Sequence, residues 1–414
     1  MNRYKKHTME KFKKRTLNSE NFSQGDNGIR VNKLLTLIQD SPYFDDILKY
    51  FNIDLENDEL IEIKGANTLF TVIKSLNKKY SKVDLISNLK NIRFNYSDGF
   101  SINFSDLTLD EYFDEYDKDA ISAKPIHSGE RDFFSNLYDI DKYAGKLITK
   151  GYGDILDQNL ELLKTKEEHV RKYRLLHDID EDTFYLRAIV SEGRYYNYDN
   201  SLTLVIALLK LYFETKLSGV NYFLDSCEFN ESFIRIFFKT SELKELEGVG
   251  FLENMLQVSN DEIKREALRF SNVCSIAFKD SENNDQAIFI KPKDIKSRVL
   301  SIPHGTGPDK AFKKLEGFTK SKEIFQTMFD EIKSISKIKD HNQIVHLVRT
   351  KIENSTTDDI KRNKQEFNKM LLRDINSTTQ LLDAFNKLML LEGLEIDAKE
   401  YLRYLIYEAL VERK

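Results

Sequence analysis

The residues most able to do chemistry in this chain are cationic. Arg3, Lys5, Lys6, Lys11, Lys13, Lys14 and Arg15 face only Glu10 within the first fifteen positions. Lysine and arginine in an extended segment draw in phosphate by releasing its counterions, without base preference. Tyr4, His7 and Phe12 interleave with them, and aromatic rings stack on unpaired bases. The competing reading is a solubilising tail or a docking arm. A second cationic group follows in a loop: Arg187 and Arg194 beside Tyr195, Tyr196 and Tyr198, closed by Asp199 and Asn200. Exposed, guanidinium groups would clamp phosphate and the rings would stack. Buried, the same tyrosines would pack a turn against the core.

Two further clusters carry histidine. His304, Gly305 and Gly307 lie just ahead of a helical pattern that begins at Lys310. Glycines let backbone amides approach an anion at a helix start. The spacing is neither a P-loop nor GxGxxG, so a joint between modules explains it equally. His127, Glu130, Arg131 and Asp132 crowd six positions. They suit acid–base chemistry, or simply a helix start capped by Ser128. No HExxH, GxSxG or Walker motif is present. No cofactor and no metal site is expected, because Cys227 and Cys274 are the only thiols and a cysteine-rich zinc site needs three or four.

The elements that must position these residues read as a folded α+β protein. Hydrophobic residues make up 40% and charged residues 32%, against a net charge of −5, which excludes a disordered chain. It also excludes a protein basic overall, so an anionic partner would be met locally. The charged N-terminus predicts no secretory signal. The apolar run over 202–213 is broken by Lys210 and is too short to span a bilayer. Two free thiols suit a reducing, cytoplasmic setting.

Four regions are expected. Residues 1–28 form a basic flexible arm. Residues 29–120 form a small α+β domain. Its clearest signal is a hairpin over 92–104, where Ile92, Phe94 and Tyr96, then Phe100, Ile102 and Phe104 alternate about Asp98-Gly99. The acidic stretch over 106–119 reads as the solvated face of an amphipathic helix. Residues 121–304 form a central α+β domain, with strands over 233–238, 273–278 and 287–290 and helices over 155–175, 202–217 and 261–270. Residues 305–414 form an all-helical module, with helical periodicity over 310–338, 341–353, 357–373, 377–391 and 398–413. Asp340, Ser355 and Ser377 are the expected caps.

Part of the chain resembles a widespread family of phage- and plasmid-borne proteins of unknown function. Arg187-Ala188, Ser191, Arg194-Tyr195 and Asp199-Asn200 are similar to that family's Arg-Ala, Ser, Arg-Tyr and Asp-Asn positions. Ser259, Asn260, Glu262 and Leu268 fall in a second similar segment, and His304 to Gly307 in a third. The likeness covers residues 180–315. Lys264 stands where the family often has glycine, and Cys274-Ser275-Ile276 replaces its Cys-x-Asn-Gly element. The resemblance implies a mobile-element origin and no chemistry.

The expected function is therefore non-catalytic binding of DNA or RNA through Lys5, Lys6, Lys11, Lys13, Lys14, Arg15, Arg187, Arg194, Tyr195 and Tyr196. His304, Gly305, Gly307 and Lys310 are the candidate anion site. The alternative is a virion or regulatory protein that meets itself or another protein through residues 305–414. A metal-dependent hydrolase or nuclease on His127, Glu130, Asp132 and His304 comes last, since no motif demands it.

Overall fold

The computed structural model describes residues 10–95, 100–105, 107, 111–114, 118–127, 129–165, 170–193, 195–263, 266–372 and 374–413. Among them the chain has α+β architecture, with every element after Ile302 helical. Among the described residues no helix is long and apolar enough to cross a membrane.

Fifteen strands occur among these residues, in chain order β1 (Arg15–Asn18), β2 (Ile29–Arg30), β3 (Leu60–Ile61), β4 (Tyr80–Asn88), β5 (Ile92–Asn95), β6 (Ser101–Ser105), β7 (Ala120–Pro125), β8 (Val170–Asp178), β9 (Thr183–Val190), β10 (Tyr222–Phe229), β11 (Phe233–Leu246), β12 (Gly250–Asp261), β13 (Leu268–Lys279), β14 (Asp285–Ile290) and β15 (Arg298–Ile302). The first sheet is antiparallel, in the order β1-β10-β11-β12-β13-β14, with β15 pairing the other end of β13. The second runs β4-β8-β9-β7-β6-β5, with one parallel pair, β7 and β9. The expected hairpin is its β5–β6 edge, in the register Ile92↔Phe104 and Phe94↔Ile102. The turn at Ser97-Asp98-Gly99 lies outside the described residues, as does most of the acidic stretch, of which Glu111–Asp114 is helical.

Packing explains which sequence signals hold. Helix Asn200–Ser218 is apolar on every side because it is buried on nearly every side, from Leu202 to Leu211. Asp199 caps it by accepting the Leu202 N–H at 2.7 Å. It sits in a core shared with the N-terminal helices, one face of the first sheet and Ala311, Phe312, Leu315 and Phe318. The later C-terminal helices share a second core with Leu252, Cys274, Ile276 and Ile288 of the same sheet. The helical region thus owns no core of its own. Asp340 and Ser377 cap as expected, accepting the N–H groups of Gln343 and Gln380. A third core lies between the second sheet and the helices Gly129–Tyr138, Asp141–Lys150 and Gly153–Lys164.

Several expectations differ from the structure. Residues 10–28, read as a flexible arm, are folded. Arg15–Asn18 forms an edge strand on β10, Phe12 and Leu17 are buried, and Asp26 accepts the N–H groups of Asn67 and Thr68. Residues 29–120 do not form a separate unit, because β4 to β7 share one sheet with β8 and β9. The helix expected over 155–175 ends at Lys164 and gives way to β8. In place of the one expected over 261–270, Asp261 ends β12, Glu262 and Ile263 lie in a turn, and Leu268 to Phe270 open β13. In that turn Glu262 is fully buried against cations from the second sheet, a long-range contact that local periodicity cannot register.

Candidate functional site

The site is the seam where the second sheet meets the β11–β12–β13 end of the first. Strands β4 and β8 are apolar on the face that carries Val83, Leu85, Tyr173 and Leu175, which fills the third core. Their alternation turns Lys82, Asp84 and Arg174 to the other face. Residues Asp84 and Arg174 are direct partners in the ladder. A register shift beside Arg174 and Leu175 adjusts β9, which carries Arg187.

These groups converge on Glu262. One carboxylate oxygen receives Lys82 at 2.5 Å and the Asn200 N–H at 2.9 Å, and the other receives Arg187 at 2.8 Å. Its carbonyl oxygen accepts from Arg174 and, at 2.5 Å, from the Tyr195 hydroxyl. Burial alone would raise the Glu262 carboxyl. Lys82, Arg187 and Arg174 outweigh it and bring the pKa down to about 2. Asp84 binds Arg174 at 3.2 Å and accepts from Asn197 at 2.6 Å. Asp199 differs: burial, with Glu262 nearby, holds its carboxyl above the ordinary range despite Lys82.

The three segments that carry the family resemblance meet here. Arg187 and Asn200 both bind Glu262, and Asn260 donates to the Tyr198 carbonyl at 2.6 Å. His304 stacks on Tyr195, with centroids 4.7 Å apart, and its ring nitrogens face the carbonyl oxygens of Tyr196, Asp261 and Glu266. Burial lowers the His304 pKa, and Arg174 adds to the effect. These are the contacts of a structural staple.

The expected binding residues are therefore dispersed. Arg187 is fully buried, and its Nε and Nη2 have no hydrogen-bond partner among the described residues. Tyr195 already stacks on His304 and has the Arg174 guanidinium 5.0 Å from its ring, so its ring is engaged within the fold. Tyr196 packs against Gly307, where a Cβ would lie 3.3 Å from the tyrosine hydroxyl. Gly305 and Lys310 are exposed on the joint, ahead of and within helix Pro308–Lys314, which spans only seven residues. Lys11 pairs with Asp178 and Glu181, and Lys14 pairs with Asp397 while lying 3.8 Å over the Phe233 ring. Lys13 and Arg15 remain exposed. Lys5, Lys6 and Arg194 lie outside the described residues.

His127 adopts a left-handed backbone with φ of 50° and places Nε2 2.5 Å from Glu231. Gly129 follows because a Cβ there would meet the Leu186 carbonyl oxygen at 2.4 Å. Among the described residues no group of three His, Cys, Asp or Glu side chains is placed to hold a metal. Sequence reasoning missed Lys82, Asp84 and Arg174, and it gave Glu262 no role. The available signal was charge at alternate positions of strands whose other face is apolar.

A second buried charge centre joins the first sheet to helix Ile396–Tyr407. Glu228 binds Arg235 and Arg403, each at 2.9 Å, and Glu400 binds Arg403 at 2.8 Å and Lys291 at 3.0 Å. Burial would raise the Glu400 carboxyl, but Arg235, Lys291 and Arg403 hold it well below the usual range. Arg403 also lies over Phe237 and Phe289, 4.9 and 5.9 Å from their rings. Other side chains of that face are exposed. Phe223 pairs with Lys239, and Leu243 with Glu253, so both share a face with Phe251. Their exposures are 43, 59 and 51%. In residues 305–414 the large apolar side chains left exposed are Leu372 and Leu390.

No family model, curated protein or solved structure matches the chain.

Proposed function

We propose that the protein is a structural or protein-interaction component that self-associates through an exposed apolar patch on the first sheet, and that it is not an enzyme. The carrying observation is the trio Phe223, Leu243 and Phe251, exposed on one face of that sheet. Grouped apolar exposure of this kind marks contact surfaces, whereas scattered single residues do not. Lys239, bound to Asp225 at 3.1 Å and 3.6 Å from Glu253, sets both charge signs among the apolar groups, as a two-fold contact requires. The charged seam supports the same reading, because its cations are spent on internal carboxylates. The likeness of residues 180–315 to the phage- and plasmid-borne family suits a component of such an element, acting inside the cell.

Light scattering after size-exclusion chromatography tests this. The wild-type mass is expected to rise with concentration. The double variant Leu243→Glu, Phe251→Glu is expected to stay monomeric with unchanged thermal unfolding. A wild-type monomer at every concentration overturns the proposal.

Non-catalytic nucleic-acid binding is the second reading, favoured by Lys13 and Arg15, which stay exposed on and beside an edge strand. Labelled DNA and RNA should then bind with a steep salt dependence that Lys13→Glu with Arg15→Glu reduces. Absence of binding, or a flat response to salt, removes this reading.

A further inference from the structure

A cavity of about 240 Å³ lies between the loop after helix Phe44–Phe51 and the middle of helix Asn200–Ser218. None of its lining residues belongs to the charge centres or to the proposed assembly face. Its apolar lining comes from Val31, Ile53, Leu209 and Phe213, and its polar lining from Asn52, Asp54, Asn57 and Glu59. The loop is shaped to present these groups. Asn52 takes a left-handed conformation at the helix end, Asp54 accepts the Glu56 N–H at 3.0 Å, and the Asn57 N–H returns to the Asp54 carbonyl.

The charges of the polar side do not balance. Glu59 is matched, binding Lys216 at 2.9 Å and accepting from the Tyr212 hydroxyl at 2.7 Å. Those partners, Lys216 first and Tyr212 next, hold its carboxyl below the usual range. Asp54 is exposed, has no ion-pair partner among the described residues, and lines the cavity together with Glu59. The cavity therefore offers surplus negative charge, two amide side chains able to accept hydrogen bonds, and an apolar wall.

We infer that this cavity binds a small alkylammonium ligand, of the mono- or diamine class. Its ammonium group lies against Asp54 with the Asn57 or Asn52 amide oxygen as a further acceptor, and its methylenes lie along Val31, Ile53 and Leu209. An anion would meet two carboxylates. A neutral polyol would satisfy the amides but leave Asp54 without a counter-charge and waste the apolar wall. Pockets that pair an apolar lining with a few convergent polar groups are the usual form of small-molecule sites.

Isothermal titration of the full chain with putrescine, n-butylamine and uncharged 1,4-butanediol tests the inference, with thermal unfolding as the second readout. Both amines are expected to bind and to raise the unfolding temperature, and the diol to do neither. Asp54→Asn keeps the loop's acceptor for the Glu56 N–H and is expected to weaken amine binding about tenfold, the scale of one lost charge-assisted contact. Three results overturn the inference: no binding of either amine at millimolar concentration, equal binding of the diol, or unchanged amine affinity in Asp54→Asn. None of them bears on self-association, which light scattering reads separately.

Discussion

The seam around Glu262 and the seam around Glu400 use the same chemistry to different ends. Each gathers lysine and arginine about buried carboxylates. In the Glu400 centre, the carboxylates of Glu228, Glu266 and Glu400 face Arg235, Arg403 and Lys291, and these ion pairs run from side chain to side chain. It bolts one helix to a sheet. The Glu262 centre draws on backbone as well. The Asn200 N–H, the Glu262 carbonyl and the carbonyls facing His304 all take part, so it fixes loop conformation besides joining two sheets. It also keeps a carboxyl that resists ionising, Asp199, and two unpartnered donors on Arg187. The difference teaches that buried charge in this fold is a fastener. Among the described residues both centres keep leftover donors, two on Arg187 in the first and the Arg235 Nε in the second, and only the Glu262 centre adds a carboxyl that resists ionising.

Glu262→Ala should break the contrast most severely. It leaves the Arg187 guanidinium fully buried without its carboxylate, and a stranded buried charge costs about 3–5 kcal/mol. Denaturant unfolding is expected to show this loss across the whole molecule, because both sheets depend on the seam. Glu400→Ala should cost less, about 2–3 kcal/mol, since Arg403 and Arg235 retain Glu228. Hydrogen exchange should then localise the loosening to helix Ile396–Tyr407. Equal, global effects of both substitutions would erase the distinction between the seams.

Acid should act on the two centres together. The folded-state pKa of Glu262 is about 2 and that of Glu400 lies well below its ordinary value of 4.5. A depressed carboxyl contributes stability that is present above the unfolded pKa and is lost as pH falls through the folded one. Unfolding free energy is therefore expected to fall from about pH 5 down to about pH 2. Glu262→Gln should flatten that slope. Asp199 has the opposite sign: its raised pKa penalises the folded state above the unfolded value. Asp199→Asn keeps a good cap for helix Asn200–Ser218 and removes the penalty. It is expected to raise stability at neutral pH by at most about 1 kcal/mol. A large loss instead would show that the ionised carboxylate is needed.

Local pattern made the fold class legible, and with it the β5–β6 hairpin, the buried helix Asn200–Ser218 and the change to helices after Ile302. Each depends on alternation, apolar run length or a capping side chain. The candidate site was legible only in part. The segments holding Arg187, Asn200, Glu262 and His304 stood out as a set, but their roles did not. Arg187 looks like a phosphate clamp in sequence because its counter-charge, Glu262, arrives from the turn between β12 and β13. Lys82, Asp84 and Arg174 were invisible for the same reason. Residues 10–28 misled because Lys11 and Lys14 find carboxylates far along the chain, at Asp178 and Asp397.

The strand Arg15–Asn18 bears on the timing of synthesis. Its partner is Tyr222–Phe229, so it leaves the ribosome long before the strand it needs, and Lys14 waits longer still for Asp397. Pairings this distant along the chain must close a large loop before they repay it, and they slow folding. Until β10 exists, β1 and its basic neighbours are unpaired and open to other contacts. The segment that finally seals the first sheet's edge is thus the one exposed longest during birth of the chain.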